Sequence, residues 1–190
     1  MRTPTRQSVV AERQAPLRDL YSRSPREAVT HKAARTSSRT VPAGDPFHGE
    51  VEVGAGYGTW LRFGLDRYIG GLHDAPNPGD LLCAALAACM DGSIRLIADL
   101  LRVQLTDLEV QVTGDLDVRG CLAIDPDVWA GFEALDCRIR LHAADDTDPG
   151  RLDRLLRTAE RLCTNLDTLR GGIRVHIDRD TGQLGGTDTA

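Results

Sequence analysis

The chain has 190 residues, a net charge of −5 and a pI near 5.5. That length suits one domain with a terminal extension and is enough to bury a core without covalent staples. No basic block stands out in the body of the chain, which argues against nucleic acid as a partner. No apolar run approaches the roughly 18–20 residues of a membrane span. The opening MRTPTRQSVV lacks the apolar core of a secretion signal, and Glu12, Asp19 and Glu27 interrupt an Arg-rich start that a transit peptide would keep free of acids. The expectation is a cytoplasmic protein with neither membrane nor nucleic acid as partner.

In chain order, residues 1–12 read as disordered. PLRDLYSRSPREAVTHKA, from Pro16, reads as one or two short helices, with Ser24 as a cap and Pro25 in a first turn. SSRTVPAGDP is a connector. In HGEVEVGAGYGTWLRFGLDRYIGG, Val51 and Val53 alternate with Glu50 and Glu52, and GAGYG supplies a turn between strands. Those glycines do not make a phosphate loop, because neither a Lys-Ser/Thr pair nor a helix start follows them.

Asn77 to Val103 carries the longest helical signal. Asn77 can cap it, Pro78 takes the first helical position, and Asp80 stands three residues after the cap, as in a capping box. Its segment LLCAALAACM, residues 81–90, is apolar all round, which predicts a helix buried on every side and hence a covering partner. LEVQVTGDLDV alternates Leu108, Val110 and Val112 with Glu109, Gln111 and Thr113, a strand in which Gly114 marks a bulge or a close approach. CRIRLHA puts Cys137, Ile139 and Leu141 on one face. Pro149 to about Cys163 is an amphipathic helix, NLDTL adds a short helical turn, Gly171-Gly172 ends it, and IRVHI reads as a last strand before a loose tail. The pattern is α+β with mostly antiparallel sheet. The domain plan is a helical arm over 1–45, a main domain over 46–181 and a tail over 182–190.

The five cysteines (Cys83, Cys89, Cys121, Cys137, Cys163) are odd in number and scattered, unlike a disulfide framework. Neither CxxC nor HExxH occurs, and the histidines are dispersed, so a zinc site has little support. Cys83 and Cys89 lie about 120° apart around a helix axis and cannot pair with each other. Cys83 and Cys137 read as small core hydrophobes, and Cys121 receives no role. Around Cys89, small groups at Ala85 and Gly92 leave room for an approach to the sulfur, yet composition leaves a structural and a reactive thiol both open. Cys89 lies about 18 Å from the helix start, beyond the reach of the dipole, so a thiolate there needs a cationic side chain. Cys163 stands at a helix boundary, beside an apolar face.

NPGDLLCAALAACM resembles the signature of the OsmC/Ohr superfamily: Asn-Pro, an acidic or polar pair, an Ala/Leu-rich helix, then Ala-Ala-Cys. ERLCTNLDTL fills the place of the second family cysteine, and VTGDLDVRGCL and GGIRVHI fit the general pattern. The similarity spans roughly residues 46–180, and the arm LRDLYSRSPREAVTHKA is similar to extensions in one OsmC-like subgroup. The resemblance implies an OsmC-like fold, with mostly antiparallel sheets around long buried central helices in an intertwined homodimer. It further implies a peroxidase working on organic or hydrogen peroxides without metal or flavin. In that scheme Cys89 attacks the O–O bond and becomes a sulfenic acid, Cys163 resolves it to a disulfide, and an external dithiol restores both. Arg67 is the nearest match to the family's thiolate-stabilising arginine, with Arg62 as runner-up. Two departures stand out. The family's acidic residue falls on Gly79, leaving Asp80 as a substitute that also has a cap to serve, and Thr164-Asn165 follow Cys163 where Pro-Val is common. The alternative reading is a non-catalytic dimer of the same fold that binds a small apolar or thiol-bearing ligand in the interface cleft.

Overall fold

Asn77 starts the longest element as expected. Its side chain accepts the N–H of Asp80 at 3.0 Å and the Asp80 carboxylate accepts the N–H of Asn77 at 2.9 Å, a complete capping box. The helix that follows, α2, runs Pro78–Leu100 in the computed structural model, which describes residues 7–54 and 56–179. Before it come α1 (Val9–Arg23), a 3-10 turn (Pro25–Ala28), β1 (Ala34–Thr36), β2 (His48–Val53), β3 (Trp60–Gly64) and a second 3-10 turn (Arg67–Ile69). After it come β4 (Leu105–Asp115), α3 (Val118–Cys121), β5 (Ala134–Ala143), α4 (Pro149–Leu162) and α5 (Thr164–Gly171).

The strands form two antiparallel sheets, one in the order β1-β2-β3 and one pairing β4 with β5. Period-two patterning works as anticipated in the second. Leu108, Val110 and Val112 on β4 join Leu135, Cys137 and Ile139 on β5 against a core built by Leu86, Met90, Ile94 and Ile97 of α2 with Leu155 and Ala159 of α4. The register irregularity of this pair lies between Leu105 and Asp107, not at Gly114. Gly114 is instead a close approach: a Cβ there would stand 2.6 Å from the Leu135 side chain and 2.7 Å from the Phe132 ring.

Four sequence expectations are corrected. Helix α1 begins at Val9, inside the stretch read as disordered, and continues through Pro16; residues 1–6 lie outside those described. The Ser8 hydroxyl caps α1 and donates to the Asp99 carboxylate of α2 at 2.6 Å, and a cap of this kind offsets the cost of a proline in the helix interior. Part of the expected helical stretch is instead the strand β1. On β2 the buried residue is Glu52 rather than Val51 or Val53, because Arg35 of β1 reaches across and pairs with its carboxylate at 2.6 Å. Finally, IRVHI forms no strand here. Ile173, Val175 and Ile177 alternate but are 69–75% exposed, because a strand needs a free sheet edge and this segment meets none in its own chain. The loose tail lies beyond residue 179, outside the described residues.

Helix α2 is not buried on every side either. Leu86, Met90, Ile94, Ile97 and Ala98 face the core, while Leu82, Ala84, Ala85 and Ala88 remain open. By length and mean hydropathy alone α2 is apolar enough to cross a membrane, contrary to the reading that no run approaches that length. Its inner face packs on β4, α4 and α5, as in the central helix of a globular core.

Candidate functional site

Cys89 lies on α2, three turns past the capping box. Cys163 is the residue that closes α4 and opens α5: its backbone is extended, and its carbonyl accepts the N–H of Asp167 at 3.0 Å. Because α4 and α5 both pack on α2, this junction falls beside Cys89. The Asn165 N–H, two residues after Cys163, meets the Cys89 sulfur at 3.4 Å, which sets the junction against Cys89. All five cysteines are free thiols.

The two thiols differ in surroundings. Cys163 is 0% exposed, whereas Cys89 is half-buried. Burial pushes the Cys163 thiol above its usual range, and so do the hydrogen bond and charge of Cys89; the amides of Leu166 and Asn165 face it and oppose this, without completing a cap hydrogen bond. Cys89 receives the backbone N–H of Asn165 on its sulfur at 3.4 Å, and its carbonyl accepts the Ser93 hydroxyl at 2.8 Å. The Asn165 side-chain amide reaches back to the Ala85 carbonyl at 2.8 Å. Nothing in the spacing of the sequence pointed to Asn165. The cue available was the departure from Pro-Val after Cys163.

The remaining predicted residues do not join this pair within one protomer. Arg67 is exposed in its 3-10 turn, its guanidinium 5.8 Å from the centroid of the Tyr68 ring. Arg62 acts on His48 and Asp74 rather than on a thiol. Among the described residues, no arginine hydrogen-bonds the Cys89 sulfur. Asp80 is committed to the capping box, as the competition between its two roles anticipated. At Gly79 a Cβ would stand 3.0 Å from Asn77 Oδ1 and 3.1 Å from Phe132 Cζ, so the ring of Phe132 occupies the space an acidic side chain would need. Cys83 shares the lining of a cavity of about 910 Å³ with Cys121, apart from the pair. Burial raises the Cys83 thiol, helped by the charge of Asp80; burial likewise raises Cys137, helped by Glu160. Cys137 packs against the core, whereas Cys83 is half-buried and faces the cavity.

Residues 71–178, more than half of the chain, match the family model described as OsmC-like protein. The chain belongs to the OsmC-like family. Solved structures agree on the fold. An OsmC-like protein from Mycoplasma pneumoniae superposes with a TM-score of 0.58 at 13% identity, over 75% of this chain and 89% of that one. An organic hydroperoxide resistance protein OsmC from Legionella pneumophila gives 0.54 at 23% identity, over 75% and 91%. An organic hydroperoxide resistance protein from Elizabethkingia anophelis, with thiocyanate bound, gives 0.54 at 17%, over 76% and 91%. No curated protein sequence matches this chain. The OsmC-like domain here thus carries two thiols in mutual reach, one accessible and one sealed, with a glycine at position 79.

Proposed function

We propose that this protein is a thiol-dependent peroxidase that reduces organic or hydrogen peroxides in the cytoplasm. The observation that carries the reading is the Asn165 N–H on the Cys89 sulfur at 3.4 Å, which brings the start of α5, two residues after Cys163, against Cys89. Peroxide reaches the half-buried Cys89. The thiolate sulfur attacks one oxygen, the O–O bond breaks, and the other oxygen leaves as an alcohol or water once protonated. Cys89 is left as a sulfenic acid. The Cys163 sulfur then attacks the Cys89 sulfur, water leaves, and a disulfide forms. An external dithiol reduces that bond by two exchange steps and is itself oxidised to a disulfide.

The cation that the chemistry requires comes, in this reading, from a second copy of the chain in an intertwined homodimer. Supporting this, the β1-β2-β3 sheet makes no more than marginal contact with the helices of its own chain. The outer face of α2 and the alternating Ile173–Ile177 segment are also uncovered. Arg67 remains the candidate, and Arg62 the second. The test is one equivalent of peroxide on the reduced protein. Mass spectrometry is expected to show a loss of two hydrogens and a Cys89–Cys163 linked peptide. Both thiols found still titratable would sink the proposal.

A second reading has a specific observation behind it. Phe132 fills the place of the family's acid at position 79, and Asp80 is occupied by the cap. Both favour a non-catalytic dimer that binds a small apolar or thiol-bearing ligand in the same cleft. Retention of full biological activity by Cys89→Ser would select that reading.

A further inference from the structure

Asn165 touches α2 twice, once at Cys89 and once at Ala85, and the two contacts have different origins. The backbone N–H donates to the sulfur at 3.4 Å, a consequence of where α5 begins. The side-chain amide donates at 2.8 Å to the carbonyl of Ala85, and this belongs to asparagine alone. In an α-helix that carbonyl is the acceptor for the N–H of Cys89 itself, one turn on. Asn165 is therefore fastened to the turn of α2 that presents the Cys89 thiol. Two residues earlier in the chain is Cys163, whose side chain is buried in the core.

We propose that Asn165 is a positioning residue that holds the start of α5, and with it Cys163, against Cys89, so that the two sulfurs are pre-set for disulfide formation. This rests on the Cys89–Cys163 pairing of the proposed function, but not on the identity of the oxidant. Cys163 and Leu166 anchor the start of α5 in the core, and no side chain caps the helix. The Asn165 side-chain bond is the tie that joins this start to the Ala85–Cys89 turn of α2. Its loss lets that turn and the start of α5 shift relative to one another, so that the two thiols are less often aligned.

The experiment uses the full-length protein with Asn165→Ala and Asn165→Val. Both remove the side-chain donor and keep the backbone N–H, and valine also keeps most of the volume. The first readout is the equilibrium with oxidised glutathione: two protein thiols become one Cys89–Cys163 disulfide while one glutathione disulfide becomes two thiols. The equilibrium constant is expected to fall about 3- to 10-fold in both variants, with the thermal midpoint little changed. The second readout is peroxide oxidation with a dione trap for sulfenic acid. The variants are expected to accumulate more trapped Cys89, with the second step slowed more than the first. Wild-type values for the glutathione equilibrium in both variants would overturn the proposal. Should peroxide leave Cys89 untouched while the glutathione equilibrium still shifts, the peroxidase reading falls and the positioning role stands.

Discussion

The β4–β5 pair lays Leu108, Val110, Val112, Cys137 and Ile139 against α2 and α4, whereas the β1-β2-β3 sheet finds no helix of its own chain to cover it. Both sheets are antiparallel and both arise from alternating sequence. The β1-β2-β3 sheet is held to the rest by local ties: the Gly64 N–H on the Pro76 carbonyl at 3.0 Å, and His48, half-buried between Asp45 and Asp74 with a carboxylate on each ring nitrogen. The family match begins at residue 71, after this sheet, and takes in the packed half with both thiols. One half of the chain packs its sheet within the chain and contains Cys89 and Cys163. The other half carries Arg62, with Arg67 just beyond it, and leaves its sheet largely uncovered among the described residues.

The sharpest break of this contrast lies in the packed half. Leu155 is wholly buried, so Leu155→Ala is expected to cost about 2–5 kcal/mol in urea unfolding, the range for a deleted core side chain. A loss under 1 kcal/mol would mean that the core rearranges freely and the contrast is overdrawn. Gly114→Ala is next. Its new methyl would meet Leu135 and Phe132 well inside contact distance, and about 1–3 kcal/mol of destabilisation is expected by the same measurement.

The open half should respond to dilution. If a second copy covers β1-β2-β3, hydrogen exchange in that sheet depends on protein concentration, by about 0.7 kcal/mol of protection per tenfold change, because the free monomer varies as the square root of concentration, while β4–β5 does not. Equal behaviour of the two sheets would show that the first is covered within its own chain.

The smallest effect concerns pH. The hydrogen bonds to Asp74 and Asp45 raise His48 above its usual value, against its burial and the nearby Arg62 charge. Bonds to His48 and to the Phe47 amide lower Asp45, and His48 lowers Asp74. A raised histidine contributes fully below its unfolded pKa of about 6.5 and loses that contribution as pH rises through the higher folded value. The lowered carboxylates contribute above about 3.8 and lose it as pH falls through their folded values. Amide protection factors across 65–76, with the intrinsic pH dependence of exchange divided out, are therefore expected to fall on the alkaline side, and His48→Gln to remove that dependence. A flat profile in the unaltered protein would show that the clamp carries no load.

How much was legible follows from which physics is local. Asn77, Pro78 and Asp80 spell a helix start within four residues, and the capping box formed as read. Leu108 to Val112 and Cys137 to Leu141 fixed their faces because one side of the pair is buried within the chain. Ile173–Ile177 has the same alternation and no strand, because pairing depends on an edge the segment itself cannot specify. At the site, the cysteines were legible through the family pattern. The clamp by Asn165 was not, since it joins residues 80 apart in the chain through one amide. The filling of position 79 by Phe132 was equally hidden, because it depends on a loop that folds back over the start of α2.

The sealing of Cys163 has one more consequence, for damage. On the proposed peroxidase mechanism, a sulfenic acid at Cys89 would face a race between its neighbour and a second peroxide molecule, and losing that race would give sulfinic acid, which thiols do not reverse. Bulk oxidant finds no route to Cys163 in this conformation. Protein inactivated by excess peroxide would therefore carry its lesion on Cys89 and keep an intact Cys163, a chemical record of which sulfur met the oxidant first.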